Sequence, residues 1–136
     1  MGSRRQAREL ALQLLYQHEM SKVPLDEMQE NFEGWQSASR SVRDFADRLA
    51  RGTLQHADEI DGHLEKQTSH WRLDRLAVVD RNILRLALYE LLYHDEATPP
   101  AVVLDEAIEI AKKFGAEESA RFVNGVLDGY LKRAAG

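Results

Sequence analysis

Hydrophobic residues recur at intervals of three and four along most of the chain, which is the period of an α-helix. This spacing predicts helices over about residues 4–20, 25–34, 41–67, 80–94, 101–114 and 118–133. Breaks at residues 22–24 and 97–100 contain Pro24, Pro99 and Pro100. They separate helices, because proline lacks an amide hydrogen and fixes its own backbone angle. No alternating strand pattern competes anywhere, so the sequence predicts an all-α protein.

The segment over residues 80–94 is hydrophobic on nearly every side, and after its first turn only Arg85 and Glu90 clearly interrupt the apolar cover. A helix with that pattern is normally buried. We therefore expect a central helix surrounded by amphipathic neighbours. Asp80 is expected to be its N-cap, because a carboxylate accepts hydrogen bonds from the free amides of a first turn. Gly115 is expected to end the next helix in the left-handed conformation.

The composition narrows the class of protein. The chain has 136 residues, a net charge of −5 and no cysteine. Its length favours one domain, and the lack of cysteine excludes disulfides and thiolate metal sites. No apolar run resembles a signal peptide or a membrane span, so we expect a cytoplasmic protein that does not bind membranes. The net charge is not typical of a nucleic-acid-binding protein.

The charge is distributed unevenly, because residues 1–24 contain four basic and two acidic residues while the rest is acidic. Arg4, Arg5 and Arg8 lie on the flank of the apolar stripe of the first helix, since positions four apart share a face. Arginines in a first turn oppose the helix dipole, so local helix stability does not explain them. A bound polyanion explains them, because phosphates suit guanidinium groups. A solvated helix end is the other interpretation of the same charges.

The sequence contains few candidates for catalytic or metal-binding residues. His56, His63 and His70 recur every seven residues, which places neighbours on one helix about 10 Å apart, too far for one metal ion. We expect them to be surface polar groups. The sequence contains no phosphate-binding glycine loop, nucleophile elbow or metalloprotease motif. Gly125 and Gly129 lie four apart on the last helix, a spacing typical of close helix packing. The sequence favours binding over catalysis, with no cofactor and no metal.

Three stretches follow one another along the chain in a specific order. They are RRQARE at residues 4–9, ILRLALYEL at 83–91, and DEAIEIAKKFG at 105–115 followed by FVNGVLD at 122–128. In this order and at these separations they closely resemble the NusB family of bacterial transcription antitermination factors. The resemblance covers essentially the whole chain, and the third stretch is the most specific.

The resemblance implies an all-α fold of two helical bundles packed into a single domain over residues 1–136. The amino-terminal bundle would cover about residues 1–70 and the carboxy-terminal bundle about 71–136. The family is not enzymatic. Its members bind the boxA segment of RNA together with NusE, a small-subunit ribosomal protein. The pair helps RNA polymerase to read through terminators in ribosomal RNA operons, so the expected partners are boxA RNA, NusE and the antitermination complex of RNA polymerase.

The resemblance also implies an RNA-binding surface on the first helix. Arg4, Arg5 and Arg8 match the arginine-rich motif of the family, and Tyr16 matches the tyrosine that closes it. Gln6 stands where many members have another arginine. Single-stranded RNA is held by cations along its backbone and by aromatic faces under its bases. The arginines would supply the first kind of contact and Tyr16 the second.

A second set of RNA-binding positions is implied in the carboxy-terminal bundle. Phe114, Glu118 and Phe122 match family positions near the RNA groove. The spacing of the two phenylalanines, taken alone, favours core residues instead. Asp105 replaces an asparagine that is usual in the family, so that side chain has no amide to donate.

The partner protein is expected on the carboxy-terminal bundle, around residues 80–94. Arg81 and Arg85 are the predicted contacts, because charges at the edge of so apolar a helix need a partner or access to water. The acidic surface suits a basic ribosomal protein. The alternative function is a helical protein-interaction module or a homodimer without direct RNA contact, in which the arginine cluster pairs with acidic residues of the partner.

Overall fold

The structure is a computed structural model that describes residues 3–68, 72–93 and 98–135. The helices are α1 Ser3–Ser21, α2 Leu25–Asn31, α3 Glu33–Gln36, α4 Arg40–Gln55, α5 Ala57–Gln67, α6 Val78–Tyr93, α7 Pro100–Phe114 and α8 Ser119–Ala135. A short 3-10 helix at Leu73–Arg75, which the sequence did not predict, precedes α6. The described residues contain no strand, and the predicted all-α class is confirmed. None of their helices is long and apolar enough to cross a membrane.

The chain divides into two compact units, Met1–Gln55 and His56–Gly136. In the first unit α1 packs along α4, and α2 packs against α1 and α3. In the second unit α6 packs against α5, α7 and α8. The boundary between the units lies before α5, because α5 packs against α6 and α8. The resemblance had implied a boundary near residue 70.

The first unit shows why the predicted helix over residues 25–34 is two shorter ones. Phe32 adopts an extended backbone conformation between α2 and α3, and Trp35 is then buried in the first unit. At the end of α1, Lys22 has a positive φ of 64°. Its amide donates to the carbonyl of His18 at 2.8 Å and closes the helix, and Pro24 follows as expected for a helix stop.

The predicted helix over residues 41–67 is interrupted at His56, which separates α4 from α5. The spacing of apolar positions hides this interruption, because Thr53 and Ile60 on either side are both buried. The ring of His56 stacks on that of Tyr93 with a centroid distance of 4.0 Å. His63 meets Tyr130 edge to face at 5.9 Å. These two histidines are therefore half-buried aromatic partners instead of surface polar groups.

Helix α6 is central to the second unit, as the sequence predicted for residues 80–94. Ile83, Leu84, Leu86 and Leu88 are buried. The expected N-cap is wrong, because α6 begins at Val78 and Asp80 lies in its first turn. The Asp80 Oδ1 atom is buried and has no hydrogen-bond partner among the described residues. The first unit has its own core, so α6 organises the second unit only.

Gly115 ends α7 with an extended backbone, φ −92° and ψ −173°. The prediction of a left-handed residue is therefore wrong, and the glycine serves a close approach. A Cβ atom there would lie 2.5 Å from both the Cβ and the Oγ of Ser119, and 2.8 Å from the carbonyl oxygen of Ala111. Ser119 is buried, and its Oγ accepts a hydrogen bond from the Ala116 amide at 2.9 Å.

We expect Gly115→Ala to lower the free energy of unfolding by about 1–3 kcal/mol, because an added methyl group displaces a packed serine. Gly125→Ala is the matched control. A Cβ at Gly125 meets nothing within 4 Å, whereas one at Gly129 would lie 3.0 Å from Oε1 of Gln67, so the predicted close packing is wrong for Gly125 only. Alanine at position 125 should therefore stabilise α8 by about 0.5–1 kcal/mol. Urea unfolding of both variants measures the difference. A Gly115→Ala protein as stable as the wild type would contradict the steric explanation.

Candidate nucleic-acid interface

The arginines of α1 differ in their exposure. Arg4 and Arg5 are exposed, whereas Arg8 is only 4% exposed. The guanidinium carbon of Arg4 lies 4.4 Å from the ring centroid of Phe45, and that of Arg8 lies 5.6 Å from it. Both are cation–π distances. The structure thus brings Arg4 and Arg8 together on one aromatic ring of α4, and Arg8 is a packed residue as well as a charge.

Arg48 is a third cation at this ring, and the sequence did not predict it. Its guanidinium carbon lies 5.4 Å from the Phe45 centroid. Phe45 is 6% exposed, and the guanidinium groups lie against its ring. Arg48 follows Phe45 by three residues and therefore shares its face of the helix. That spacing was the only signal in the sequence, and it does not reveal that α1 packs against the same face.

A surface pocket of ≈ 300 Å³, hereafter the Phe45 pocket, lies beside these cations. Its lining residues are Ser3, Arg4, Ser41, Val42, Asp44, Phe45 and Arg48. The pocket combines guanidinium groups, hydroxyl groups and an aromatic edge, which are donors and surfaces that suit an RNA backbone. Asp44 is its acidic member.

Two other arginines of α4, Arg40 and Arg51, are paired with carboxylates. Arg51 hydrogen-bonds Asp26 and also Asp47, the latter at 2.8 Å. The hydrogen bond that Arg51 donates to Asp26 is the largest contribution to a raised pKa of the Arg51 guanidinium. Arg40 lies 4.0 Å from Asp44 in an exposed pair. The charge of Arg51 is therefore largely compensated within the first unit.

Tyr16 lies twelve residues after Arg4 on α1, about 18 Å along the helix axis. It is 39% exposed and borders an open groove of ≈ 390 Å³ in the first unit. The lining residues are Tyr16, Gln17, Met20, Ser21, Val23, Glu27, Met28 and Asn31. Met20 is also exposed. An accessible aromatic ring beside an apolar groove is suited to stacking on a base.

The predicted positions of the carboxy-terminal half lie near the turn between α7 and α8. Phe114 is the last residue of α7, and the Nζ atom of Lys113 is 5.5 Å from its ring centroid. Glu118 is exposed, and its carbonyl accepts from the Phe122 amide at 3.1 Å. Phe114 and Phe122 are both half-buried, so neither is the fully buried core residue that spacing alone favoured.

Arg81 and Arg85 already have partners inside the second unit. Arg81 is buried, and its Nη1 donates to the carbonyls of Leu73 at 3.2 Å and Leu76 at 3.0 Å. Arg85 makes two parallel hydrogen bonds of 2.8 Å to Asp61. The sequence pointed to these arginines because a charge at the edge of an apolar helix needs a partner. Both arginines have such a partner within the chain. Their contact with another protein stays a prediction.

No metal site emerges from the part of the chain that the structure describes. Those residues contain no group of three or more histidine, cysteine, aspartate or glutamate side chains that is suited to hold an ion. His70, the third member of the seven-residue series, lies outside them. The interface is therefore assigned from cations and aromatic rings.

Comparison with known proteins places these features in a family. The family model described as the NusB family matches residues 5–132. The transcription antitermination protein NusB of Anaeromyxobacter dehalogenans is 48% identical over 130 residues, which cover 94% of this chain and 90% of that protein.

Two solved structures agree with this match. NusB of T. maritima is 40% identical with a TM-score of 0.84, over 95% of this chain and 90% of the other. A crystal structure of the antitermination factors NusB and NusE in complex with double-stranded RNA contains a chain that is 31% identical, with a TM-score of 0.86 and 98% coverage of both chains. The family match spans nearly the whole sequence, and the fold agrees with it. This chain belongs to the NusB family.

Proposed function

We propose that this chain is an RNA-binding transcription antitermination factor. It binds boxA RNA together with NusE and promotes read-through by RNA polymerase in ribosomal RNA operons. The observation that carries the proposal is the position of Arg4 and Arg8 against the ring of Phe45, where Arg48 of α4 joins them. Arg4 and Arg8 belong to α1, the helix whose sequence resembles the RNA-binding motif of the family. The similar NusB–NusE–RNA crystal structure supports the same pair of partners.

The mechanism is binding and positioning, and it requires no reaction. Exposed Arg4 and Arg5 hold backbone phosphates, which supplies affinity and register without reading sequence. Tyr16 stacks on a base in the groove beside it. Arg8, which is nearly buried, holds the ring of Phe45 in place for the neighbouring cations. The chain acts as a non-enzymatic adaptor in the cytoplasm.

The second unit is the proposed binding site for NusE. Residues 56–136 contain ten basic and fifteen acidic residues, and an acidic surface favours encounter with a basic ribosomal protein. The predicted contact region is α6 and the helices beside it. Mapping amide shifts on addition of NusE tests this assignment. Shifts confined to residues 1–30 would place the partner on the first unit instead.

The test of RNA binding is a titration of labelled boxA-like RNA at several salt concentrations with NusE present. Binding to single strands loses about 0.7 counterions per neutralised phosphate. Replacing Arg4 or Arg5 by alanine should therefore flatten the log–log salt slope by about 0.7. The loss of affinity should be similar for boxA-like and scrambled RNA, because phosphate contacts do not specify bases.

Arg8→Ala should behave differently in the same titration. Its guanidinium is nearly buried against Phe45. Its loss should therefore lower the stability of the protein and change the salt slope less than Arg4→Ala or Arg5→Ala does.

Unchanged affinity and slope in folded Arg4→Ala and Arg5→Ala proteins would remove the RNA role from α1. The protein-interaction module or homodimer would then be the better interpretation.

A further inference from the structure

We infer that Arg48 extends the RNA-binding surface from α1 onto α4, where it and Arg4 hold one backbone phosphate at the Phe45 pocket. The inference rests on the proposed function, since it takes RNA as the ligand. It adds a residue outside the arginine motif and a specific place for a phosphate. The resemblance of α1 to a family motif does not supply either.

Arg4 and Arg48 contact the same aromatic ring and line the same pocket. The guanidinium carbon of Arg4 lies 4.4 Å and that of Arg48 lies 5.4 Å from the centroid of the same ring. These two distances limit the separation of the guanidinium carbons to less than about 10 Å. A phosphate between them can accept hydrogen bonds from both, and the hydroxyl groups of Ser3 and Ser41 line the same pocket. Charge-assisted hydrogen bonds of this kind are the strong ones.

Among the residues that the structure describes, neither Arg4 nor Arg48 forms an ion pair at this pocket, although the carboxylate of Asp44 lines it. Arg51 on α4, in contrast, binds two carboxylates. The two positive charges of Arg4 and Arg48 repel each other, and salt screens this repulsion only partly at a separation that is comparable to or shorter than the Debye length of about 8 Å. Packing on the Phe45 ring offsets part of the repulsion. A phosphate removes the rest.

Asp44 allows a variant that should tighten RNA binding, beside the arginine variants that should weaken it. Its carboxylate lines the pocket, and its exposed pairing with Arg40 at 4.0 Å is weak. A phosphate bound between Arg4 and Arg48 would therefore face one negative charge. Removing that charge should favour RNA, whereas removing Arg48 should disfavour it.

The experiment measures binding of the labelled boxA-like RNA to the full chain with NusE, over a range of salt. Arg48→Gln should flatten the salt slope by about 0.7, and Arg48→Lys should retain the wild-type slope because it keeps the charge. Asp44→Asn should tighten binding at low salt, with the difference fading as salt screens it.

Arg43→Gln is the matched control, since it removes the same charge from the same helix. Arg43 precedes Arg48 by five residues, so the two project about 140° apart around α4. The control should keep the wild-type slope. Circular dichroism spectra and melting temperatures establish that each variant is folded.

Failure of the phosphate site on α4 and failure of the proposed function would give different results. If Arg4→Ala weakens RNA binding and Arg48→Gln has the wild-type slope, the phosphate site on α4 is overturned while the function stands. Equal flattening by Arg48→Gln and Arg43→Gln would show a general effect of net charge and would also overturn the site. Failure of the wild-type chain to bind RNA with NusE present would instead contradict the proposed function itself.

Discussion

Leu88→Ala should lower the free energy of unfolding by about 2–5 kcal/mol, the range for large-to-small changes in a packed core. Leu88 is 0% exposed on α6, the helix that packs against α5, α7 and α8. Truncation would leave a cavity that rigid helices on several sides cannot close. Urea unfolding followed by circular dichroism measures the loss.

The control for this prediction is Val102→Ala on α7. Val102 is exposed, so its truncation should change the free energy of unfolding by less than about 0.5 kcal/mol. The amides of α6 should also be among the slowest of the second unit to exchange with solvent, because core elements open only near the energy of global unfolding. Rapid exchange in α6, or equal stability of the two variants, would show that α6 is not the core of its unit.

Most helices could be predicted from the sequence because buried apolar residues recur with the period of an α-helix. The sequence placed the ends of α1, α6, α7 and α8 within a few residues, since prolines and changes in polarity mark them. It missed the interruptions at Phe32 and His56. Stacking of His56 on Tyr93 joins residues 37 positions apart, and periodicity within one helix contains no information about such a contact.

Charged residues were the least predictable part of the candidate site. The sequence treats an arginine near an apolar stripe as a charge that needs solvent or a partner molecule. In the structure Arg81 donates to backbone carbonyls, and Arg85 binds a carboxylate 24 positions earlier. Arg8 and Arg48 meet at Phe45 only because α1 packs on α4. Their roles depend on tertiary packing, which the pattern of single helices does not encode.

Gly115 illustrates the same limit for the backbone. A glycine after a helix usually adopts the left-handed conformation, and the sequence predicted that result. The structure uses the missing side chain instead, because Ser119 occupies the space a Cβ would need. Helix ends with glycine can thus be located from sequence, while the reason for the glycine depends on the element that follows.

Tyr16→Ala should weaken binding of boxA-like RNA by about 1–3 kcal/mol and leave the salt slope nearly unchanged, because stacking on a base involves no phosphate. Tyr16 is 39% exposed, so its removal should have little effect on folding. The prediction therefore separates base stacking at Tyr16 from phosphate binding at Arg4 and Arg5.

Tyr16→Phe is the matched control, since it keeps the ring and removes only the hydroxyl group. It should bind RNA nearly as the wild type does if the aromatic face carries the interaction. The measurement is the titration of labelled RNA at several salt concentrations, with NusE present and melting temperatures recorded for each protein. Equal losses for Tyr16→Ala and Tyr16→Phe would assign the effect to the hydroxyl group. Wild-type affinity in a folded Tyr16→Ala protein would exclude the groove at Tyr16 from the RNA-binding surface and confine that surface to the arginines.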